Sequence, residues 1–194
     1  MNGLKRQEQK TITRRKILDT AFRLYASGGF STPTDQIARE TGLSHGAIFL
    51  HFPTREDLQI RVLEKFTQET GDKLHKLTKK GGSISELLYT HLQILEEHEN
   101  FYKKLISEIS ILPPETETML ISLHSVVSFH LGDLIRHEIR KGRIKNIPLH
   151  FIFNTWIGLI HYYLQNSELF APGKSVLRLW KKELVNNFIS MIST

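Results

Sequence analysis

The most suggestive catalytic motif in this 194-residue chain is Pro172-Gly173-Lys174-Ser175, which has the ending of a phosphate-cradling loop. Such a loop needs a glycine where this chain has Glu168, and a strand ahead of it where none is patterned. No G-x-S-x-G, no G-x-G-x-x-G and no carboxylate pair in a persuasive setting occurs. The chain has no cysteine, which removes thiolate ligands and cysteine nucleophiles and suits a reducing cytosol. Histidine is the remaining resource. His130 shares a helical face with Leu123, Val127 and Leu134, the pattern of a hydrogen-bonded core histidine, with a small-molecule contact as the alternative. His150, Asn154, Gly158 and His161 form a second stripe, in which Asn154 is the other candidate small-molecule contact. No ligand pair has the spacing of H-E-x-x-H, so neither a metal nor a cofactor is expected, and the chain does not read as an enzyme.

Charge points elsewhere. The formal net charge is +6, and residues 1–80 hold 15 Lys+Arg against 9 Asp+Glu, whereas residues 81–194 hold 11 of each. The densest run, Lys5, Arg6, Lys10, Arg14, Arg15 and Lys16 against Glu8, precedes the first apolar helix, and a basic arm of this kind suits a polyanion. The first sixteen residues lack the apolar stretch of a secretory signal. Residues 147–164 are the most apolar run, but His150, Asn154 and His161 interrupt it, so the expected protein is soluble and cytoplasmic, with no membrane partner.

The elements that would present these residues are all helical. Ile17, Leu18, Ala21, Phe22, Leu24 and Tyr25 recur at helical spacing from Thr13 until Gly28-Gly29. Three helix starts then fall between residues 28 and 58. Thr34 is placed to cap a helix over 35–41 that closes at Gly42, and Ser44 to cap one over 45–52 that Pro53 ends. Thr54-x-x-Asp57 opens a fourth, which Leu58, Val62, Leu63, Phe66 and Leu74 carry toward Lys80. Beyond Lys79-Lys80-Gly81-Gly82-Ser83, helical patterns cover 84–111, 115–141, 148–167 and 175–192, parted by Pro113-Pro114, Pro148 and Pro172-Gly173.

Helices of one or two turns are marginal alone, so packing must hold the second and third. At 100° per residue, Ile48 and Phe52 lie together facing Ile37, Ala38 and the first helix, which turns Gly46 and Leu50 outward. Two short helices joined through a glycine turn, the second exposed, make a helix-turn-helix over 33–52, a motif that lays its second helix in the DNA major groove.

At these residues the sequence resembles the TetR family of bacterial transcriptional regulators. The matching run is Ile37-Ala38, Gly42-Leu43-Ser44, Gly46-Ala47-Ile48-Phe49, His51-Phe52 and Arg55-Glu56-Asp57-Leu58. The resemblance implies a DNA-binding domain over 10–70 and an effector-binding and dimerisation domain over 71–194. It further implies a homodimeric repressor on palindromic double-stranded DNA, released by a small-molecule effector. Carried onto this sequence, it makes Thr34, Gln36, Ser44, His45, Gly46, Phe49, Leu50, His51, Thr54 and Arg55 the DNA-contacting set, with Leu50 suited to a thymine methyl and His51 and Arg55 to the phosphate backbone. Phe49 stands where the family usually carries a phosphate-bonding tyrosine, and Pro53 where a lysine is common.

The last two long helices are apolar around most of their circumference, which predicts a two-fold four-helix interface through Phe153, Trp156, Ile160, Trp180, Leu184 and Phe188. A helical protein-interaction adaptor is the competing class; it accounts for an exposed Leu50 but not for the basic first 80 residues.

Overall fold

The computed structural model describes residues 2–78 and 82–194. They fold into ten α-helices: α1 (Asn2–Gly28), α2 (Thr34–Thr41), α3 (His45–His51), α4 (Arg55–Thr78), α5 (Ile84–Glu97), α6 (Glu99–Glu108), α7 (Pro114–Arg140), α8 (Leu149–Gln165), α9 (Ser167–Phe170) and α10 (Val176–Ile192). Among the described residues the only extended pairing is an isolated bridge between Ile144 and Ser193. Lys79, Lys80 and Gly81, most of the break expected after the fourth helix, lie outside the described residues.

Two boundaries differ from the sequence expectation, each for a physical reason. α1 starts at Asn2, eleven residues ahead of the Thr13 at which apolar periodicity begins. Residues 2–12 contain good helix formers and no proline, and apolar periodicity reports where a helix packs rather than where it exists. The pattern over 84–111 breaks at His98 (φ −127°, ψ 26°) into α5 and α6, with a 3-10 turn over Ile109–Ile111. The break places Glu99 at the start of α10, where its buried carboxylate accepts hydrogen bonds from the Val176 and Leu177 amides at 3.0 and 3.1 Å. A carboxylate there satisfies amides that no intrahelical carbonyl reaches and complements the helix dipole.

The chain forms two compact units, and three helices pass from one to the other: α4 after Phe66, α6 after Glu99 and α7 after Met119. The first unit holds the chain up to Phe66 together with Asn100–Met119. Ile17, Ala21, Tyr25, Ile37, Ile48, Phe52, Leu58 and Val62 form its core. Phe101 on α6 completes that core, stacked on Phe22 at 4.1 Å between centroids and tilted against Phe30 at 5.4 Å and Phe66 at 5.1 Å. Glu108, at the end of α6, accepts the Phe30 amide at 2.7 Å. Gly29 (φ 82°) makes this approach possible, since a Cβ there would collide with the Glu108 carboxylate.

In the second unit, Leu88, Leu92 and Leu95 of α5, Leu123, Val127 and Leu131 of α7, and Ile152, Trp156 and Ile160 of α8 are buried with Leu184 and Phe188 of α10. Glu96 holds α5 to α10 through Arg178 at 2.9 Å and Lys181 at 2.5 Å. Among the described helices α7 alone is long and apolar enough to cross a membrane, yet its Leu123, Val127, Leu131 and Ile135 are core residues of this unit.

Candidate nucleic-acid interface

The interface is built on the turn between α2 and α3. Gly42 leaves α2 in the left-handed conformation (φ 67°, ψ 26°), and its amide and that of Leu43 return to Arg39 and Ala38 carbonyls at 3.1 and 3.0 Å. A side chain at 42 would find open space, so the backbone angle, not crowding, calls for glycine. Ser44 caps α3 by accepting the Ala47 amide at 3.2 Å. Thr54 does the same for α4 with the Asp57 amide at 3.0 Å. Thr34 does not cap α2: Pro33 occupies that position (φ −66°, ψ 143°), so Thr34 is the first helical residue. Its hydroxyl instead lies 3.0 Å from His45 Nε2, which is also 3.3 Å from Asp35.

α3 has the two faces expected of it. Ile48 and Phe52 are buried, while Gly46 is exposed and Leu50 is 83% exposed. Holding a leucine side chain in water forgoes about 1.5–3 kcal/mol of burial, so nothing in this unit's own packing accounts for it. Phe49, half-buried, meets His45 edge-on at 4.8 Å, which arranges an aromatic surface beside Leu50. Gln36 is half-buried on α2.

His51 and Arg55, the residues the resemblance assigns to the phosphate backbone, are both partly engaged within the unit. Arg55 is half-buried and donates from Nη2 to the Phe30 carbonyl at 2.7 Å, where Gln59 Nε2 also donates at 3.0 Å. It ties the start of α4 to the turn after α1. His51 is half-buried, and burial, then the charges of Lys10 and Arg14, hold its pKa below the ordinary histidine value, so it is a neutral group at neutral pH. The residue that sequence reasoning missed is Arg14. Its guanidinium donates to the His51 carbonyl and lies 4.1 Å over the Phe52 ring. Its place in a basic run was visible; its position beneath α3, 37 residues away, was not.

The candidate effector and dimer residues also sort by burial. His130 is half-exposed rather than a core residue, with Nε2 at 2.9 Å from His75 Nδ1, because its position on α7 lies at the edge of the packed face. Asn154 is exposed on α8. The interior imidazoles are His91 on α5, His124 on α7 and His161 on α8. His91 is 3% exposed and accepts Trp156 Nε1–H at 3.1 Å; His124 and His161 are 5.6 Å apart between ring centroids. Burial, then repulsion from His124 and His161, lowers the His91 pKa to about 3, and burial, then repulsion from His161, lowers His124 to about 4. Trp156, Ile160, Leu184 and Phe188 are buried inside the single chain, which leaves them no surface to offer a second copy. Phe153 and Trp180 are half-buried, Trp180 donating to the Phe170 carbonyl at 2.9 Å.

A buried-and-exposed short helix after a glycine turn defines a helix-turn-helix domain, and the comparisons agree. Residues 17–62 match the family model of bacterial regulatory proteins, tetR family. The chain is 27% identical over 158 residues to the HTH-type transcriptional regulator YuxN of Bacillus subtilis (strain 168), covering 77% of this chain and 53% of that protein. It is 35% identical over 69 residues to the HTH-type transcriptional regulator AcrR of Shigella flexneri, covering 35% of this chain and 32% of that protein. The chain thus spans about half the length of YuxN and less of AcrR. A TetR-family transcriptional regulator from Agrobacterium tumefaciens superposes with a TM-score of 0.79 at 19% identity, over 95% of this chain and all of that one. FadR from Bacillus subtilis, solved in complex with stearoyl-CoA, superposes with a TM-score of 0.72 at 17% identity, over 92% of this chain and 98% of that one. Residues 17–62 thus match the DNA-binding domain of the tetR family, and the structural neighbours share the fold of the chain.

Proposed function

We propose that this protein is a cytoplasmic, homodimeric transcriptional repressor that reads a palindromic operator with α3 and leaves it when a small molecule binds the second unit. The observation that carries the reading is Leu50, held 83% exposed on a seven-residue helix whose opposite face is core. A side chain so placed suits apolar contact with a thymine methyl in the major groove. Gly46 lets the backbone come close to the bases, Ser44 and Thr54 present hydroxyls at the two helix starts, and Thr34, Gln36, His45 and Phe49 flank them. Arg55 and His51 act by shaping this surface.

Support for a dimer lies in what α8 and α10 leave uncovered. Phe151, Thr155, Gly158 and Tyr162 recur along one exposed stripe of α8, and Leu179 and Met191 are exposed on α10. No heavy atom lies within 4 Å of where a Cβ on Gly158 would sit, so a second helix can approach closely there. The effector is an amphiphile whose polar group meets His91, His124 and His161, in keeping with a structural neighbour that binds stearoyl-CoA. No catalytic role enters this account.

Titrating salt in a duplex-binding assay tests the reading. Affinity for DNA should fall steeply as salt rises, because each neutralised phosphate adds about 0.9 to the log–log slope. Absence of duplex binding at low salt would favour a helical adaptor instead.

A further inference from the structure

The N-terminal turns of α1 carry charge that the helix-turn-helix does not use. Arg6, Lys10 and Arg14 follow one another at i, i+4 and i+8 and so share one face, spread over about 12 Å of helix axis at 1.5 Å per residue. That face is fixed relative to the recognition helix by its last member, since Arg14 is bonded to the His51 carbonyl and stacked over Phe52. Lys10, one turn further out, is close enough to help hold the His51 imidazole below its ordinary pKa. Arg6 and Lys10 are exposed and, among the described residues, are paired with no carboxylate. Arg15, by contrast, faces Asp19 at 3.8 Å.

This part of α1 also lacks a packing reason to exist. Residues 5–12 are exposed all round, and a helix with no buried face is marginal in water. Its cations run in line from Arg6 to Arg14, which sits at the end of α3 against His51 and Phe52.

We propose that the Arg6–Lys10 face of α1 is a second DNA-binding surface, a rail that follows the phosphate backbone flanking each half-site and reads no bases. The proposal rests on the DNA-binding reading above. A rail of this kind adds affinity to all sequences alike and leaves base preference to α3.

The test compares wild type, the Arg6→Ala/Lys10→Ala double variant and an Arg140→Ala/Lys174→Ala double variant that loses the same charge from the second unit. Each is titrated with salt on a mixed-sequence duplex and on a duplex selected by the wild-type protein. Loss of two phosphate contacts at each half-site, four per dimer, should lower the log–log salt slope of the first variant by about 3.6, on both duplexes equally, with the control slope unchanged. By proton NMR of the free protein, the His51 titration should move up when Lys10 is removed. An unchanged slope while wild type binds DNA would overturn the rail alone, as would an equal fall in the control. Failure of wild type to bind either duplex would overturn the underlying DNA-binding reading as well.

Discussion

Leu50 and Arg55 lie five residues apart and do opposite work. Leu50 touches almost nothing in its own unit, so Leu50→Ala should leave the denaturation midpoint unchanged to within about 0.5 kcal/mol while costing about 1 kcal/mol of discrimination at selected base pairs. Arg55 donates into the turn after α1, so Arg55→Ala should destabilise the fold by about 1–2 kcal/mol and leave the salt slope where it was. Urea melts and competition binding on the same two variants separate these effects; a slope lowered by about 2, one contact at each half-site, in Arg55→Ala would restore it to the phosphate set. Sequence reasoning put Leu50 outward correctly because one helix turn fixes its angle to Ile48 and Phe52. It did not disclose the Phe30 carbonyl that Arg55 also meets, 25 residues away in the chain.

At the scale of elements, α5, α7 and α8 each turn one imidazole into the second unit, and this has a consequence for stability. His91 and His124 have folded pKa values of about 3 and about 4, below the ordinary 6.5 of an unfolded chain. The unfolded state therefore takes up protons first as pH falls, so the stability these groups contribute is complete above pH 6.5 and is lost below it, by up to about 1.4 kcal/mol per pH unit for each. The urea midpoint should fall between pH 7 and pH 5. His91→Asn keeps an acceptor for Trp156 Nε1–H and does not titrate, so its midpoint should fall less steeply; a wild-type midpoint flat across this range would contradict the burial of the cluster. The helices themselves were legible from apolar spacing, caps and prolines. What spacing did not disclose is pairing across the chain: that Trp156 would meet His91 65 residues away, or that Phe101 and Glu108 of α6 would close the core around Phe30.

For the whole molecule, the broad apolar surfaces of α8 and α10 suggest a subunit interface, and most of that surface is consumed within one chain. Composition shows how much of a helix is apolar, not which copy covers it; Trp156 at 0% exposure is core, and the uncovered remainder is Phe151, Gly158 and Tyr162 with Leu179 and Met191. A two-fold assembly through that remainder would present two α3 helices to half-sites about 34 Å apart, each weak alone. The measurement that tests this most directly is selection of bound duplexes from a random pool, run in parallel with wild type and with Gly158→Arg. Arginine at that exposed helical site preserves the fold and obstructs close approach of a second helix. Wild type should enrich an inverted repeat and sediment as a dimer, and Gly158→Arg should sediment as a monomer and lose the repeat. Enrichment of no sequence by wild type, or of the same inverted repeat by a monomeric Gly158→Arg, would contradict the account.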